Sequence, residues 1–205
     1  MKKIIVASIL IISGFAGRAQ SLDYQFIYEV NAEERPKQFD KTFNFITNTG
    51  AVLPEAIPIA LLGTGLFTHN KNLIKQGENA ALSFAVSTIV TYALKHAYNR
   101  QRPFTAHPEL FKLSSGGGSS FPSGHASAAF AIATSIALDN KKWYIVVPAY
   151  TWAGLVGYSR IHLGVHYPSD VIAGAAVGFA SAYVGRKINN WLHKEKPVLK
   201  SVVVF

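Results

Sequence analysis

The chain has 205 residues, of which 49% are hydrophobic and only 15% charged; 20 Lys and Arg against 11 Asp and Glu give a formal net charge of +9, and there is no cysteine. That length suits one domain, and sparse charge with a positive mean hydropathy of +0.19 points toward a membrane. The missing cysteine excludes disulfides, thiolate metal sites and a lipidated-cysteine anchor; basic residues spread between apolar stretches, rather than gathered on one face, argue against nucleic acid as a partner.

Residues 1–19 open with Lys2 and Lys3, run apolar from Ile4 to Phe15 and end on Gly17 and Ala19, the pattern of a secretory signal cut before Gln20. The alternative is a signal anchor that stays as a first membrane helix, although its apolar run is shorter than the ~20 residues a span prefers. Either way residue 20 lies outside the cytoplasm. Residues 20–50 are polar with scattered aromatics and read as a short amphipathic or irregular periplasmic segment.

Five apolar, helix-compatible stretches follow, over residues 51–68, 79–95, 124–138, 143–158 and 169–184. Each covers roughly 22–27 Å at 1.5 Å per residue, against a hydrocarbon core of ~30 Å. The third is rich in alanine (Ala126, Ala128, Ala129, Ala131, Ala133) and the fifth in small residues (Gly174, Ala175, Ala176, Gly178, Ala180), which lets helices pack closely in lipid. The expectation is an all-α, up-and-down bundle of about five helices over 51–192, membrane-embedded, with a tail at 193–205; the alternative is a soluble all-α domain, since Pro54, Glu55 and Pro58 weaken the first stretch. With residue 20 outside, Lys71, Lys75, Lys141, Lys142, Arg186, Lys187, Lys194 and Lys196 fall inside, the positive-inside pattern.

Up-and-down topology brings three separated clusters to one end of the bundle. Lys95 ends the second helix and Arg102-Pro103 follows it; Pro122-Ser123-Gly124-His125 begins the third helix; Ser159-Arg160 ends the fourth; His166 and Asp170 begin the fifth. Lysine and arginine match phosphoryl charge. Ser123 at an N-cap and Gly124 in the first turn offer N–H groups to an anion; a plain helix cap is the blander reading of that tetrapeptide alone. His166 is the candidate nucleophile, with Asp170 orienting its second nitrogen. His162, His166 and Asp170 stand at i, i+4, i+8, but Gly164 and Pro168 interrupt that helix, so no metal site is expected, and no other cofactor. His96 and His162 read as packing residues, Arg100 as a solvated or headgroup-facing charge. The Gly-Ser run from Ser114 to Ser120 reads as a flexible linker or, more sharply, as a gate over the site.

Lysine, six residues, Arg-Pro; then Pro-Ser-Gly-His; then Ser-Arg, five residues, His, three residues, Asp: this three-part pattern, complete here, resembles the signature of the type-2 phosphatidic acid phosphatase superfamily, which also holds class A acid phosphatases and vanadium haloperoxidases. The resemblance spans roughly residues 51–184. It implies that Lys95, Arg102, Arg160, Ser123 and Gly124 hold the phosphate, that His166 forms a phosphohistidine polarised by Asp170, and that His125 protonates the leaving alcohol and then activates water, without metal. The implied activity is hydrolysis of a lipid phosphate (phosphatidate, phosphatidylglycerophosphate, a polyprenyl diphosphate or a lipid A phosphate) at the periplasmic face of a bacterial inner membrane, with membrane lipids around it. A soluble periplasmic acid phosphatase on small esters is the alternative, and a vanadate-dependent haloperoxidase a remote one.

Overall fold

The computed structural model describes residues 21–31 and 37–193. The signal segment, the acidic stretch Glu33-Glu34 and the tail beyond 193 lie outside the described residues. Among the described residues seven helices follow in chain order: α1 over residues 21–31, then, after a 3-10 turn at Lys37–Phe39, α2 Asp40–Phe67, α3 Lys71–Tyr98, the one-turn α4 Pro103–Ala106, α5 Gly124–Asp139, α6 Trp143–His162 and α7 Pro168–Leu192. There is no strand among the described residues.

The five apolar stretches are the five long helices, and they run up and down as expected. The domain start expected at residue 51 falls inside α2, which begins eleven residues earlier at Asp40, and within the amphipathic or irregular segment expected over 20–50, residues 21–31 are helical. Pro54 and Pro58 do not break α2; both are buried within it. Neighbouring helices re-satisfy backbone freed by proline in such bundles.

Local chemistry sets the helix ends. Asn70 caps α3, its side-chain oxygen accepting from Asn72 N at 3.0 Å and Leu73 N at 3.3 Å. Asn99 closes α3 in the left-handed region at φ 41°, its N–H reaching Lys95 O, and turns the chain toward Arg100 and Arg102. Gly164, at φ 72°, makes the tight turn between α6 and His166; a Cβ there would stand 2.2 Å from Phe111 O.

Helix α5 is the centre of the bundle, packed against α7, α6, α3 and α2. Ala126, Ser127, Ala129, Ala131, Ile132, Ala133, Thr134 and Ser135 are all buried, so it shows no solvent face. Its approach to α7 depends on glycine: a Cβ at Gly178 would lie 2.2 Å from Ser127 O, and one at Gly174 would lie 2.5 Å from Ser123 O. At the end of the bundle away from the clusters, Asn79 donates to Asp139 at 3.1 Å, Arg186 donates to the same carboxylate at 3.0 Å, and Asn189 donates to Asn79 Oδ1 at 2.8 Å. This network ties α3, α5 and α7 together.

Outward, the long helices present Val52, Ile59, Leu66, Ile89, Val147, Leu155, Ile172 and Phe179. An apolar surface of this extent belongs in lipid. Lys37–Phe67 and Pro168–Leu192 are each long and apolar enough to cross a bilayer unaided. The 16 residues of α5 reach only ~24 Å, and α3 opens with Lys71, Lys75 and Glu78, so these helices depend on their neighbours.

Candidate active site

Alternating helix ends bring the three clusters together, as the topology requires. Lys95 leaves the end of α3, Arg102 stands at the N-cap of α4 with Pro103 after it, Ser123 and Gly124 start α5, Arg160 sits in the last turn of α6, and His166 lies in the turn before α7. Arg102, Ser123, Arg160, His166 and Asp170 are buried; His125, in the first turn of α5, is half-buried.

His166 is oriented from both sides of its ring. Nε2 lies 3.3 Å from Arg102 Nη1. A guanidinium has only donors, so that contact needs a lone pair on Nε2 and leaves the proton on Nδ1. Nδ1 faces Ser120 Oγ at 3.5 Å and Asp170 Oδ2 at 3.6 Å. Burial first, then the positive charges of Arg102 and Arg160, push the His166 imidazole down to about 3 against the pull of Asp170. A neutral ring with an unprotonated Nε2 is the nucleophilic form.

Asp170 sits at N3 of α7. Its Oδ2 accepts from Tyr167 N at 3.0 Å and from Ser120 Oγ at 2.5 Å, and its Oδ1 accepts from Arg100 Nη1 at 2.8 Å. Arg100 is therefore not the solvated charge expected of it. It bridges Asp170 and Asp23, the latter at 2.9 Å, with its guanidinium 4.1 Å from the centre of the Tyr167 ring.

Three cations line the other side. Arg160 donates through Nη1 to Thr47 Oγ1 at 2.6 Å and through Nη2 to Ser115 O at 2.9 Å. Arg102 donates through Nη2 to Gly117 O at 2.8 Å, through Nε to Gly118 O at 3.2 Å and through Nη1 to Val165 O at 2.9 Å. Lys95 Nζ donates to Ser119 O at 2.7 Å. The Gly-Ser run is thus not a loose linker: its carbonyls hold all three cations at the site. A carbonyl gives orientation without cancelling charge, so the cluster stays positive.

Two buried side-chain atoms among the described residues have no partner within the protein, Ser123 Oγ and Arg160 Nε. Ser123 is the N-cap residue of α5, as expected, but its hydroxyl makes no capping bond, and its N–H is given to Asp170 O at 2.9 Å. Burying an unpaired hydroxyl and an unpaired guanidinium N–H is costly, and both fit an oxyanion ligand. The i, i+4, i+8 trio does not converge: His162 Nε2 turns to Asp40 at 2.8 Å and its ring packs on Phe43, while His166 turns to Ser120 and Asp170.

Every expected site residue lies at this end of the bundle. Ser120, Thr47, Asp23 and the ion-pairing of Arg100 escaped the sequence. Arg100 stands two residues before Arg102, a weak signal; Thr47 and Asp23 are ordinary helical residues whose relevance comes from docking alone.

Known proteins align with this geometry. The family model of the PAP2 superfamily matches residues 78–194, a span that holds all three clusters. The lipid A 1-phosphatase of Porphyromonas gingivalis is 31% identical over 153 residues, 73% of this chain but 32% of that protein, so the chain spans about a third of its length. The undecaprenyl-diphosphatase BcrC of Bacillus subtilis is 29% identical over 71% of this chain and 72% of its own. The crystal structure of Aquifex aeolicus LpxE superposes with a TM-score of 0.67 at 26% identity, covering 80% of this chain and 93% of that one. With the family model covering more than half of the sequence and its motif residues gathered around one buried histidine, the chain belongs to the PAP2 superfamily.

Proposed function

We propose that this chain is a phosphatase that removes phosphate from a membrane lipid through a phosphohistidine intermediate at His166. The observation that carries the reading is the buried, neutral His166, with Nε2 against Arg102 and Nδ1 against Asp170, beside the unpartnered Ser123 Oγ and Arg160 Nε. Lys95, Arg102 and Arg160 hold the phosphoryl oxygens with Ser123 and the first-turn N–H groups of α5. His166 Nε2 attacks phosphorus as the P–O bond to the lipid breaks, and His125 gives its proton to the departing oxygen. His125 then takes a proton from water, whose oxygen displaces the histidine nitrogen and frees inorganic phosphate. Asp170 stabilises the positive charge on His166 at each stage.

The lipid is of the class named for the relatives, a lipid A phosphate or a polyprenyl diphosphate, with phosphatidate and phosphatidylglycerophosphate in the same chemical range. The apolar outer surface supports a substrate delivered from the bilayer. The site faces the periplasm: Lys71, Lys141, Lys142, Arg186 and Lys187 lie toward the opposite end of the bundle, the end that positive charge keeps in the cytoplasm. Residues 1–19 serve as the export signal, residues 51–192 form the core of the phosphatase domain, and the chain needs no metal.

The test is phosphate release by the purified chain in detergent from these four lipids. Wild type turns over at least one; His166→Ala releases nothing; rapid alkaline quenching traps acid-labile phosphate on wild type and none on His166→Ala. Equal release by wild type and His166→Ala would refute the reading.

A further inference from the structure

The phosphate-binding residues and the His166–Asp170 pair leave one strongly bound charge without a role. We infer that Arg100, clamped by Asp23 of α1, is a positioning residue for the reaction: it fixes the Asp170 carboxylate so that Oδ2 is aimed at His166 Nδ1. This inference rests on the phosphatase reading above.

A carboxylate turns easily about its last bond, and a turn would carry Oδ2 away from the imidazole. Arg100 Nη1 stops it by donating to Oδ1 at 2.8 Å, while Ser120 Oγ and Tyr167 N hold Oδ2. Arg100 is itself fixed on three sides. Nη1 also donates to Ser169 Oγ at 2.7 Å, Nη2 donates to Asp23 Oδ2 at 2.9 Å, and the guanidinium lies over the Tyr167 ring. Asp23 is tied in turn to the first turn of α7, accepting from Ser169 N at 2.9 Å and from the Ser169 hydroxyl. One carboxylate on α1 thus joins the N-terminal helix to the catalytic end of α7.

Lys95, Arg102 and Arg160 are held by neutral partners of their own, so the phosphate cradle does not depend on the pairing of Arg100 with Asp170. Outer-shell partners that orient metal-bound histidines carry about 10–100-fold in activity, and the same scale is expected for a partner that orients Asp170.

A cavity of about 440 Å³, lined by Tyr24, Arg100, His107 and Tyr167 among others, opens beside the guanidinium. It gives a free guanidinium ion access to the place left by truncating Arg100, which allows chemical rescue. The experiment uses the full chain in detergent and a lipid phosphate that wild type turns over. Arg100→Ala and Arg100→Lys are expected to lose about 10–100-fold in kcat, with KM and inhibition by inorganic phosphate within about twofold of wild type because the cradle is untouched. Millimolar guanidinium restores part of the Arg100→Ala kcat. Asp23→Asn loses less, and adds little on top of Arg100→Ala because the two residues act as one unit. Should Arg100→Ala fail to fold, Arg100→Lys and Asp23→Asn decide by the same measurements. Undiminished kcat in the variants, a loss that appears in phosphate affinity instead, or no rescue by guanidinium overturns the inference. A wild type inactive on every lipid overturns the functional reading and this inference with it; an active wild type with unimpaired Arg100 variants overturns this inference alone.

Discussion

Gly174→Ala tests how the bundle holds its catalytic end together. A Cβ at residue 174 would stand 2.5 Å from Ser123 O, 3.2 Å from Ala126 Cβ and 3.3 Å from Ser127 N, whereas ordinary contact begins at 3.4 Å. The start of α5 must therefore move away from α7 by between about 0.5 and 0.9 Å on the scale of such contacts. Ser123 O is the acceptor of the first α5 hydrogen bond, from Ser127 N at 3.0 Å, and Ser123 N is tied to Asp170 O, so neither can yield alone. Overpacking of this kind costs about 1–3 kcal/mol. Because the displaced group is the phosphate cradle, a shift approaching 1 Å is expected to lower kcat by about 10–100-fold, in line with the cost of misplacing reacting groups. Phosphate release in detergent, read beside thermal unfolding, measures both effects. Gly154→Ala is the control: nothing lies within 4 Å of its Cβ position, so it should keep wild-type turnover and unfold no lower. A Gly174→Ala protein with wild-type kcat would show that the α5–α7 approach does not set the cradle, whether or not its stability falls.

Further tests concern His166 and the Gly-Ser run. His166 has its folded value lowered to about 3 from an ordinary 6.5, so the unfolded chain binds the extra proton in between and stability falls as pH drops from about 6.5 toward about 3. Above 6.5 both states are neutral and the residue contributes no slope. One proton corresponds to about 1.4 kcal/mol per pH unit, so wild type should lose about 2 kcal/mol more than His166→Gln between pH 6.5 and 5; parallel unfolding curves for the two proteins would contradict this. A Cβ at Gly116 would press on Arg102 Nη1 at 2.9 Å, whereas one at Gly117 meets nothing within 4 Å. Gly116→Ala should thus raise the inhibition constant of inorganic phosphate about tenfold, the effect of weakening one charged hydrogen bond, while Gly117→Ala leaves it unchanged; equal constants for the pair would show that the loop does not set Arg102.

Much of this protein is legible in its residues alone. Apolar runs separated by polar connections locate the five long helices, because hydropathy and periodicity are local properties. Short connections set α2 against α3, α5 against α6 and α6 against α7, and an up-and-down order places Lys95, Gly124, Arg160 and Asp170 at one end. The residue types there identify a phosphate site with a histidine nucleophile, since few chemistries call for three cations, two histidines and one carboxylate together.

Other features depended on packing. The first long helix begins at Asp40 because its polar first turn docks on His162, a contact between residues 122 positions apart. The Gly-Ser run has the composition of a linker, yet its carbonyls are held by the cations they face. Arg100 and Asp23 become partners only when α1 lies across the start of α7. Helices, their order and the chemical inventory of the site could be read along the chain, because periodicity, capping and residue type are local properties. Which carboxylate meets which cation, and which nitrogen of His166 carries the proton, came from the folded arrangement, because those outcomes depend on distances of a few ångströms between segments remote in sequence.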